Sequence, residues 1–398
     1  MKLSTKSILN LESLEERLTP AFDFFYNPAG DIWTVTQVQD DGDATITVDA
    51  ITNDLVVDDG AGGPVTVGVA AGSLTINMMD NSDSDLVVVL DEFLFGNVSI
   101  NLGNGGDGAD DNGVRNLDLT GAVNTVAGNF SVTGGTIAQD VELSTNAILS
   151  VGGSFNMNLG LGDDTVTATS GVSVGGNMSF FNVNDIDIDD GGVAVGGNMS
   201  IRITDNVDST YDGSGGVGGV TIIGGNFTYT GGNDVDDVFL TGGDIIGGSV
   251  NISLGNNLTT GTPQDVNLDD ATIGGNVTIR GGTIDDDDVI TSNAGTTIGG
   301  SIYINTGTLG DDSVTLLGTN GGRAVTVITG LGDDVITYGM IGSNARLFAS
   351  LSLGDDSFTL NDNVTLSYLY IDFGFGSDVY TSLYMGPYPF RVYLRNLP

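Results

Sequence analysis

Apolar and polar residues alternate over short stretches that recur along most of the chain. In GGNMSIRIT (196–204), Met199, Ile201 and Ile203 fall on one face of an extended strand, and the polar residues between them fall on the other. A period of two residues predicts a β-strand. No helical period continues beyond the N-terminal segment, so the pattern predicts an all-β chain.

Pairs of small residues precede these strands at recurring intervals. The second small residues are Gly128, Gly153, Gly176, Gly197, Gly225, Gly248, Gly275 and Gly300. Such self-similarity at a nearly constant spacing predicts a solenoid. Three short strands joined by Gly, Asn and Asp corners in about 21–28 residues describe one coil of a parallel β-helix.

We therefore predict a single parallel β-helix, or β-solenoid, with three short strands in each coil. Parallel crossovers favour the right hand, so we predict a right-handed solenoid. The asparagines that follow the glycine pairs predict a column of amides that form hydrogen bonds along the solenoid. They are Asn97, Asn129, Asn177, Asn198, Asn226 and Asn276.

An aspartate recurs at one phase of the repeat. In the last part of the chain, LGDD and its variants place aspartates at a constant spacing, at Asp312, Asp334, Asp356 and Asp378. Counting one aspartate per coil extends the series upstream through Asp85, Asp118, Asp140, Asp164, Asp185, Asp208, Asp237, Asp265 and Asp288. The series predicts about 13 coils, or a rod about 60 Å long at roughly 4.8 Å per coil.

The repeat divides the chain into four predicted parts. They are an N-terminal export or capping segment at 1–21, irregular first coils at 22–70, solenoid repeats at 71–379, and an aromatic C-terminal cap at 380–398. A cap is expected because the ends of a solenoid expose unpaired strand edges.

Composition narrows the possible partners. The 398 residues carry 52 acids and 10 bases, which gives a formal charge of −42. Nucleic acid and anionic membrane surfaces are therefore not expected as partners, because almost nothing would neutralise phosphates. The 39% of hydrophobic residues opposes disorder. No apolar run approaches the roughly 18 residues of a membrane helix, so membrane insertion is not expected.

Cysteine and histidine are both absent from the sequence. Their absence removes disulfides, thiolate and imidazole metal ligands, and histidine-based catalytic triads. Aspartate dominates the acids, since only five of them are glutamate. It is the acid of turns and a frequent Ca²⁺ ligand.

The first twenty residues differ from the rest. Leu11, Leu14 and Leu18 have helical spacing, and the apolar core of a secretory signal is missing. The string LESLEERLTP (11–20) resembles the N-terminal motif of many large predicted surface proteins of planctomycete bacteria. The resemblance covers about ten residues and implies a cell-surface or extracellular product. The alternative is an amphipathic cap over the first coil.

The recurring aspartates place like charges side by side. Carboxylates about 4.8 Å apart repel by roughly 1 kcal/mol per pair in water and by more at lower dielectric, so something should offset this cost. GLGDDTV (160–166) resembles the hemolysin-type (RTX) calcium repeat GGxGxDxUx at Gly160, Gly162, Asp164 and Val166. The resemblance implies Ca²⁺ between coils, held by aspartates and by carbonyls of the glycine turns.

This sequence departs from the RTX pattern in three ways. It has one motif per coil instead of tandem nonapeptides, the first glycine is missing, and several coils keep only the aspartate. The predicted Ca²⁺ ligands are Asp164, Asp288, Asp312, Asp334, Asp356 and Asp378. The alternative is that each aspartate accepts hydrogen bonds from its own turn and binds no metal.

These patterns favour a non-catalytic, exported structural or adhesive cell-surface protein stabilised by Ca²⁺. Surface polysaccharide or other cell-surface proteins are the expected partners. The alternative is a carbohydrate-active β-helix enzyme resembling polysaccharide lyases, or a polysaccharide-binding protein. Arg202 and Arg280 share an outward phase but lie three coils apart, roughly 15 Å, so no basic cluster indicates a lyase site. Rows of outward hydroxyls leave ice binding as a minor alternative.

Overall fold

Strands account for all regular structure in the part of the chain that the computed structural model describes. The described residues are 22–38, 44–48, 52, 54–58, 64–69, 72–79, 86–89, 96–104, 115–120, 124–136, 138–143, 148–188, 192–204, 208–212, 219–257, 262–282, 288–322, 324–342, 345–384 and 390–397. The predicted N-terminal segment, with its LESLEERLTP motif, lies outside them. Within the described residues, no helix is long and apolar enough to cross a membrane.

A first sheet of 16 strands runs the length of the solenoid. Its strands are β1 (Phe22–Asn27), β2 (Ile32–Gln37), β6 (Ser73–Asn77), β8 (Asn97–Asn101), β11 (Phe130–Thr133), β14 (Phe155–Asn158), β17 (Met178–Phe181), β20 (Met199–Arg202), β23 (Phe227–Thr230), β26 (Val250–Ser253), β29 (Val277–Arg280), β32 (Ile302–Asn305), β34 (Ala324–Ile328), β36 (Ala345–Ser350), β38 (Leu366–Asp372) and β40 (Arg391–Arg395). Only β1 pairs antiparallel, with β2, and the later neighbours pair in parallel.

A second face is formed by one strand from each coil. Its strands are β3 (Ala44–Val48), β7 (Leu86–Val89), β9 (Arg115–Thr120), β12 (Gln139–Leu143), β15 (Thr165–Ala168), β18 (Asp185–Ile188), β21 (Ser209–Asp212), β24 (Asp236–Phe239), β27 (Gln264–Asn267), β30 (Asp288–Ser292), β33 (Ser313–Asn320), β35 (Val335–Gly342), β37 (Ser357–Leu360) and β39 (Val379–Ser382). Near the start, β4 (Asp54–Asp58) and β5 (Val65–Val69) extend β3 in an antiparallel excursion.

Separate short strands form a third face in the middle of the described part of the molecule. Its strands are β10 (Asn124–Val126), β13 (Leu149–Val151), β16 (Val172–Val174), β19 (Val193–Val195), β22 (Thr221–Ile223), β25 (Ile245–Ile246), β28 (Thr272–Ile273) and β31 (Thr297–Ile298). The prediction of stacked parallel coils is confirmed, and the eight coils from β8 to β31 have the predicted three strands.

The four coils from β32 to β39 contain two strands instead of three. The long strand β33 pairs with both β30 and β31, joining Leu316 to Ser292 and Thr319 to Thr297. Residues 293–296 turn the corner between β30 and β31, whereas only 317–318 connect the corresponding positions of β33. Buried and half-buried residues keep alternating through this shorter link, so β33 covers the second and third faces as one continuous strand. The described residues thus hold twelve regular coils, slightly fewer than predicted.

The interior is one continuous apolar cluster that extends from Phe22 to Phe390. The alternation of the sequence corresponds to side chains inside and outside, since Met199, Ile201 and Ile203 are buried. Burial of such side chains stabilises each coil against its neighbours by roughly 1.5–3 kcal/mol per residue. The C-terminal segment predicted as a cap contributes β40, which adds a further parallel strand beside β38.

The six asparagines predicted to stack do lie in one column at the corner before the first sheet. Each side-chain oxygen accepts a backbone N–H from the following coil, as in Asn198 N–H to Asn177 Oδ1 and Asn226 N–H to Asn198 Oδ1, at 2.9 and 2.8 Å. Serines also take this position, and two of them, Ser154 and Ser249, accept the next N–H in the same way.

The glycine before each asparagine makes room for this bond. A Cβ on Gly197 would lie 2.3 Å from Asn177 Oδ1, and one on Gly225 would lie 2.4 Å from Asn198 Oδ1. These distances are far below van der Waals contact, so a side chain at either glycine would displace the acceptor. The recurring GGN therefore joins two coils: its glycines admit the asparagine of the preceding coil.

We expect Asn198→Ala to destabilise the solenoid by about 0.5–1.5 kcal/mol, because the N–H of Asn226 loses its acceptor but can still reach water. Asn198→Ser should lose less, since serine already fills this role elsewhere in the column. Thermal unfolding followed by circular dichroism measures both. Equal stability of Asn198→Ala and the unmodified protein would show that the side-chain acceptors add nothing.

Candidate functional site

All six predicted metal ligands lie at one position of the coil, at the start of a second-face strand. Five of them, Asp288, Asp312, Asp334, Asp356 and Asp378, come from consecutive coils. Strand pairing puts them in register, since the residues that follow them pair coil to coil. Their side chains are 0–7% exposed. The structure therefore gathers them into a buried column, called here the inner column.

Hydrogen bonds connect each member of the inner column to the next. The backbone N–H of Asp288 donates to Oδ1 of Asp312, and that of Asp312 donates to Oδ1 of Asp334, both at 3.0 Å. The N–H groups of Asp334 and Asp356 donate in the same way to Asp356 and Asp378, also at 3.0 Å. The carboxylates of Asp312, Asp334, Asp356 and Asp378 thus accept the N–H of the preceding coil at the corner where the regular ladder begins.

The same column continues upstream with other residue types. The N–H of Gln139 donates to Asp164 Oδ1 at 2.8 Å, and the N–H of Asp164 donates to Asn184 Oδ1 at 3.0 Å. The full upstream part is Gln139, Asp164, Asn184, Ser209, Asp236 and Gln264. All six are buried. Aspartate, asparagine and glutamine thus all act as acceptors in this column, since the N–H of Asp236 donates to Gln264 Oε1 at 3.2 Å.

Five of the upstream aspartates in the predicted series do not belong to this column. They are Asp140, Asp185, Asp208, Asp237 and Asp265, each one residue away from it and either exposed or half-buried. Because the side chain alternates between faces at every residue, an offset of one moves it from the inside to the outside. Asp85 and the side chain of Asp118 lie outside what the structure describes.

Sequence reasoning missed the five inner-column members that replace them, although a signal was present. Gln139 has the parity of the buried Val141, and Gln264 has that of Val266. Counting aspartates obscured this parity, because Gln, Asn and Ser occupy the inward position in four of these coils. Aligning the inward apolar residues would have found them.

Asp236 shows how a fully buried carboxylate is satisfied in this column. Its Oδ1 accepts the Tyr229 hydroxyl at 3.0 Å, the Ser209 hydroxyl in a short hydrogen bond, and the Gly232 N–H at 3.4 Å. Its Oδ2 accepts the Gly255 N–H at 2.9 Å. Burial still raises the pKa of Asp236, and the bonds from Ser209 and Gly255 oppose that rise.

Within the strict C-terminal array of Asp312, Asp334, Asp356 and Asp378, the carboxylates of the last coils have fewer hydrogen-bond partners than the carboxylate of Asp236. Oδ2 of Asp312 accepts the Thr306 hydroxyl in a short hydrogen bond. In the two last coils the positions equivalent to Thr306 hold Leu351 and Phe373. Oδ2 of Asp356 and of Asp378 has no hydrogen-bond partner among the described residues. A buried, unpaired oxygen disfavours the ionised carboxylate.

Burial accordingly raises the pKa of Asp334 to about 7, against the opposing effects of the Thr329 hydroxyl and the Asp312 N–H. Burial raises the pKa of Asp356 to about 6, opposed by the Asp334 N–H. Neighbouring carboxylates add to both rises. The inner column therefore offsets part of its like-charge repulsion by holding protons.

An exposed outer column lies beside the inner one. The N–H of Asp333 donates to Asp311 Oδ1 at 2.8 Å, that of Asp355 to Asp333 Oδ1 at 2.7 Å, and that of Ser377 to Asp355 Oδ1 at 2.8 Å. In the outer column the N–H of each coil donates to a carboxylate of the coil before it. In the inner column the N–H donates to a carboxylate of the coil after it. The two aspartates of an LGDD turn thus connect it to both neighbouring coils.

These contacts bear on the predicted calcium site. Ca²⁺ takes six to eight oxygen ligands. Within the described ranges, no group of three or more acidic side chains is placed to hold a metal ion. Every carboxylate from Asp312 to Asp378 already directs one oxygen at a backbone N–H. The second oxygens of Asp334, Asp356 and Asp378 accept no hydrogen bond from the described residues and could ligate a metal ion. They are too few for the acids of the described residues to form a complete Ca²⁺ site by themselves.

We expect the stability of the protein to fall as the pH rises from about 4 to about 8. The folded-state pKa values of about 7 for Asp334 and about 6 for Asp356 exceed the ordinary 3.8, so the folded chain binds more protons than the unfolded chain between these values. The stabilisation is fully present below the ordinary pKa and is lost as the pH passes 6 and 7. Thermal unfolding in metal-free buffer across this range measures the effect.

Asp334→Asn should reduce this pH dependence, because asparagine keeps an acceptor for the Asp312 N–H and does not ionise, while Asp356 and Asp244 keep their raised pKa values. Asn184 already fills the column in this manner. Asp333→Asn is the matched control, since it removes the exposed neighbour and leaves the inner column intact. A variant Asp334→Asn with an unchanged pH profile would contradict the role given to the buried carboxyl.

Comparison with known proteins adds no relative to this geometry. No protein-family model, curated protein or solved structure matches the chain. The fold therefore rests on the strand pairing described above, and any function must rest on the chemistry of the chain's own surface and interior.

Proposed function

We propose that this protein is a non-catalytic structural or adhesive β-solenoid that acts at the cell surface or outside the cell. The observation that carries the proposal is the use of the acidic residues. The buried aspartates of the inner column, which could have formed a reactive cluster, accept backbone hydrogen bonds between coils. Their chemistry is that of a rigid stack, in which every coil is bonded to both neighbours.

The basic residues support the same conclusion. The guanidinium of Arg202 lies 5.6 Å from the ring centroid of Phe181, and that of Arg280 lies 5.5 Å from that of Tyr303. Both arginines pack on aromatic rings, in an arrangement that stabilises a surface. A polysaccharide lyase would need one side chain that takes a proton from the sugar and another that donates a proton to the leaving group.

A second candidate, polysaccharide recognition, is favoured by one groove near the C-terminal end. It is lined by Arg346, Phe348, Ser367, Tyr368 and Arg391, so no carboxylate is among its lining residues. A groove of this composition suits binding better than glycoside chemistry, for which a pair of carboxyl groups is the usual requirement.

Export is the part of the proposal that depends on the N-terminal motif. It is tested by treating intact cells of the source organism with a protease and probing the protein with an antibody. Degradation in intact cells supports surface exposure, and protection until the cells are lysed contradicts it.

We expect the purified protein to leave acidic and neutral polysaccharides intact. Incubation with a panel of both, followed by assays for new reducing ends and for unsaturated sugars, measures this. Release of either product in proportion to protein concentration, and its loss in a variant of a groove residue, would replace the structural role with an enzymatic one.

Stabilisation by calcium stays a prediction, for which the strict C-terminal array is the remaining support. If Ca²⁺ binds the inner column, excess Ca²⁺ should raise the unfolding midpoint above that in EDTA at pH 8, and less at pH 5, because protons compete for the carboxylates. Mg²⁺ is the ionic control. The triple variant Asp312→Asn, Asp334→Asn, Asp356→Asn should lose the response. Equal midpoints in EDTA and Ca²⁺ at pH 8 would leave hydrogen bonding as the whole role of the column.

A further inference from the structure

The outward face of the first sheet changes its chemistry over the last three strands. Register aligns Arg346, Tyr368 and Arg391 in one row along the solenoid. The adjacent row, two residues further along each strand, holds Phe348, Tyr370 and Tyr393. We call these six residues the aromatic–arginine patch.

The patch forms an open groove with exposed rings. Phe348 is 39% exposed and Tyr393 48%. The ring centroid of Tyr368 lies 5.6 Å from that of Phe348 and 5.3 Å from that of Tyr393, and all three rings are tilted. The groove encloses about 390 Å³ and is flanked by Arg346 and Arg391. Its volume lies in the roughly 300–1,000 Å³ range of small-molecule sites.

The rest of this face is different. The row that holds Phe348 contains one further aromatic residue upstream, Tyr303, and is otherwise small and polar, at Ser179, Ser200, Thr228, Asn251, Thr278 and Thr326. The row of Arg346 continues upstream as the column of asparagines and serines, because Arg346 pairs with Ala324 and the residue before Val325 aligns with Ser301 and Asn276. Over the last three strands, arginine and tyrosine therefore replace the small polar residues of this row.

The arginines of the patch stand out in so acidic a protein. The chain has 10 basic residues against 52 acids. Arg395, at the edge of the patch, pairs with Asp372 at 3.4 Å, the single ion pair found among the described residues. Arg346 and Arg391 are exposed and, in that part of the chain, lie in no such pair. Two guanidinium forks therefore face solvent beside aromatic rings.

We propose that the aromatic–arginine patch binds a carboxylate-bearing polysaccharide, with sugar rings against the aromatic side chains and uronate carboxylates on Arg346 and Arg391. Guanidinium groups bind carboxylates in a bidentate geometry. Aromatic side chains offer large, rigid apolar surfaces at low entropic cost. This binding rests on the proposed surface role and names its ligand.

The size and charge of the patch oppose other occupants. The patch extends about 10 Å along the solenoid, over three coils, and about 7 Å along the strands, over two rows. The area within these dimensions is far smaller than the roughly 800 Å² that each partner buries in a stable protein interface. Duplex nucleic acid is densely charged along its whole length and would be repelled by the acidic body on either side of the patch. A slender chain with one carboxylate per sugar meets the arginines at a lower charge density.

The experiment is titration calorimetry of the full chain in EDTA with a galacturonate oligosaccharide, and with a neutral galactose oligosaccharide of the same length. We expect binding of the galacturonate chain and weaker binding of the neutral one. The double variant Arg346→Gln, Arg391→Gln should bind the acidic chain about tenfold more weakly or worse. Tyr368→Ala should weaken both ligands.

Arg280→Gln is the matched control, because Arg280 is an exposed arginine on an aromatic ring of the same face, outside the patch. It should bind like the unmodified protein. All substituted side chains point outward, so the thermal unfolding midpoints of the variants should be nearly unchanged. A loss of binding would then not be caused by unfolding. Absence of binding by the unmodified chain, or equal binding by the double variant, overturns the proposal and leaves the structural role intact.

Self-association is the remaining outcome. Sedimentation velocity over a range of concentrations reveals it. If the unmodified chain forms dimers that the double arginine variant does not, and neither binds galacturonate, the patch is a contact between copies and the polysaccharide proposal is wrong.

Discussion

The fold depends on matching the backbone N–H and C=O groups of each coil with those of its neighbours. Within the strands, parallel ladders achieve this. At the corners the ladders stop, and an unpaired buried N–H costs about as much as a lost hydrogen bond. Side-chain oxygens fill the gap: the inner column accepts N–H groups from the preceding coil, and the asparagine column accepts them from the following coil. Most of the distinctive residues of this sequence serve that matching.

This requirement explains why the interior accommodates aspartate side chains. An aspartate provides an acceptor of the right length, but burial disfavours its charge and raises its pKa. Asp236 meets the cost with four hydrogen bonds, including those from Tyr229 and Gly255. Asp356 has fewer hydrogen bonds, and burial raises its pKa to about 6. The same position accepts Asn184 without any ionisation, so what the column requires is the oxygen, and the charge is a by-product.

The solenoid is chemically uneven along its length. Eight three-stranded coils present short strands with two outward positions each, mostly small and polar. In the last coils the strands of the first sheet lengthen, and the row that holds asparagine and serine upstream changes its residue types. That row carries Arg346, Tyr368 and Arg391, which makes the C-terminal end the part of the surface where a partner can be recognised by specific chemistry. The change in coil geometry is thus accompanied by a change in surface chemistry.

The amino-acid sequence determined the class of fold and the position of the strict array. Alternation of apolar residues and recurrence of glycine pairs are local signals that each repeat carries, so the parallel solenoid and the alignment of Asp312, Asp334 and Asp356 at one phase of the repeat could be predicted. Tertiary structure decided the remainder. Coil-to-coil register brings Gln139, Asn184 and Ser209 into the same column as the aspartates, although the residue types differ, and Asn184 accepts a backbone N–H there as an aspartate does. It also decided that the single strand β33 pairs with both β30 and β31, and that residues a full coil apart in the chain meet in one outward row. Pairing between coils depends on how many residues each corner contains.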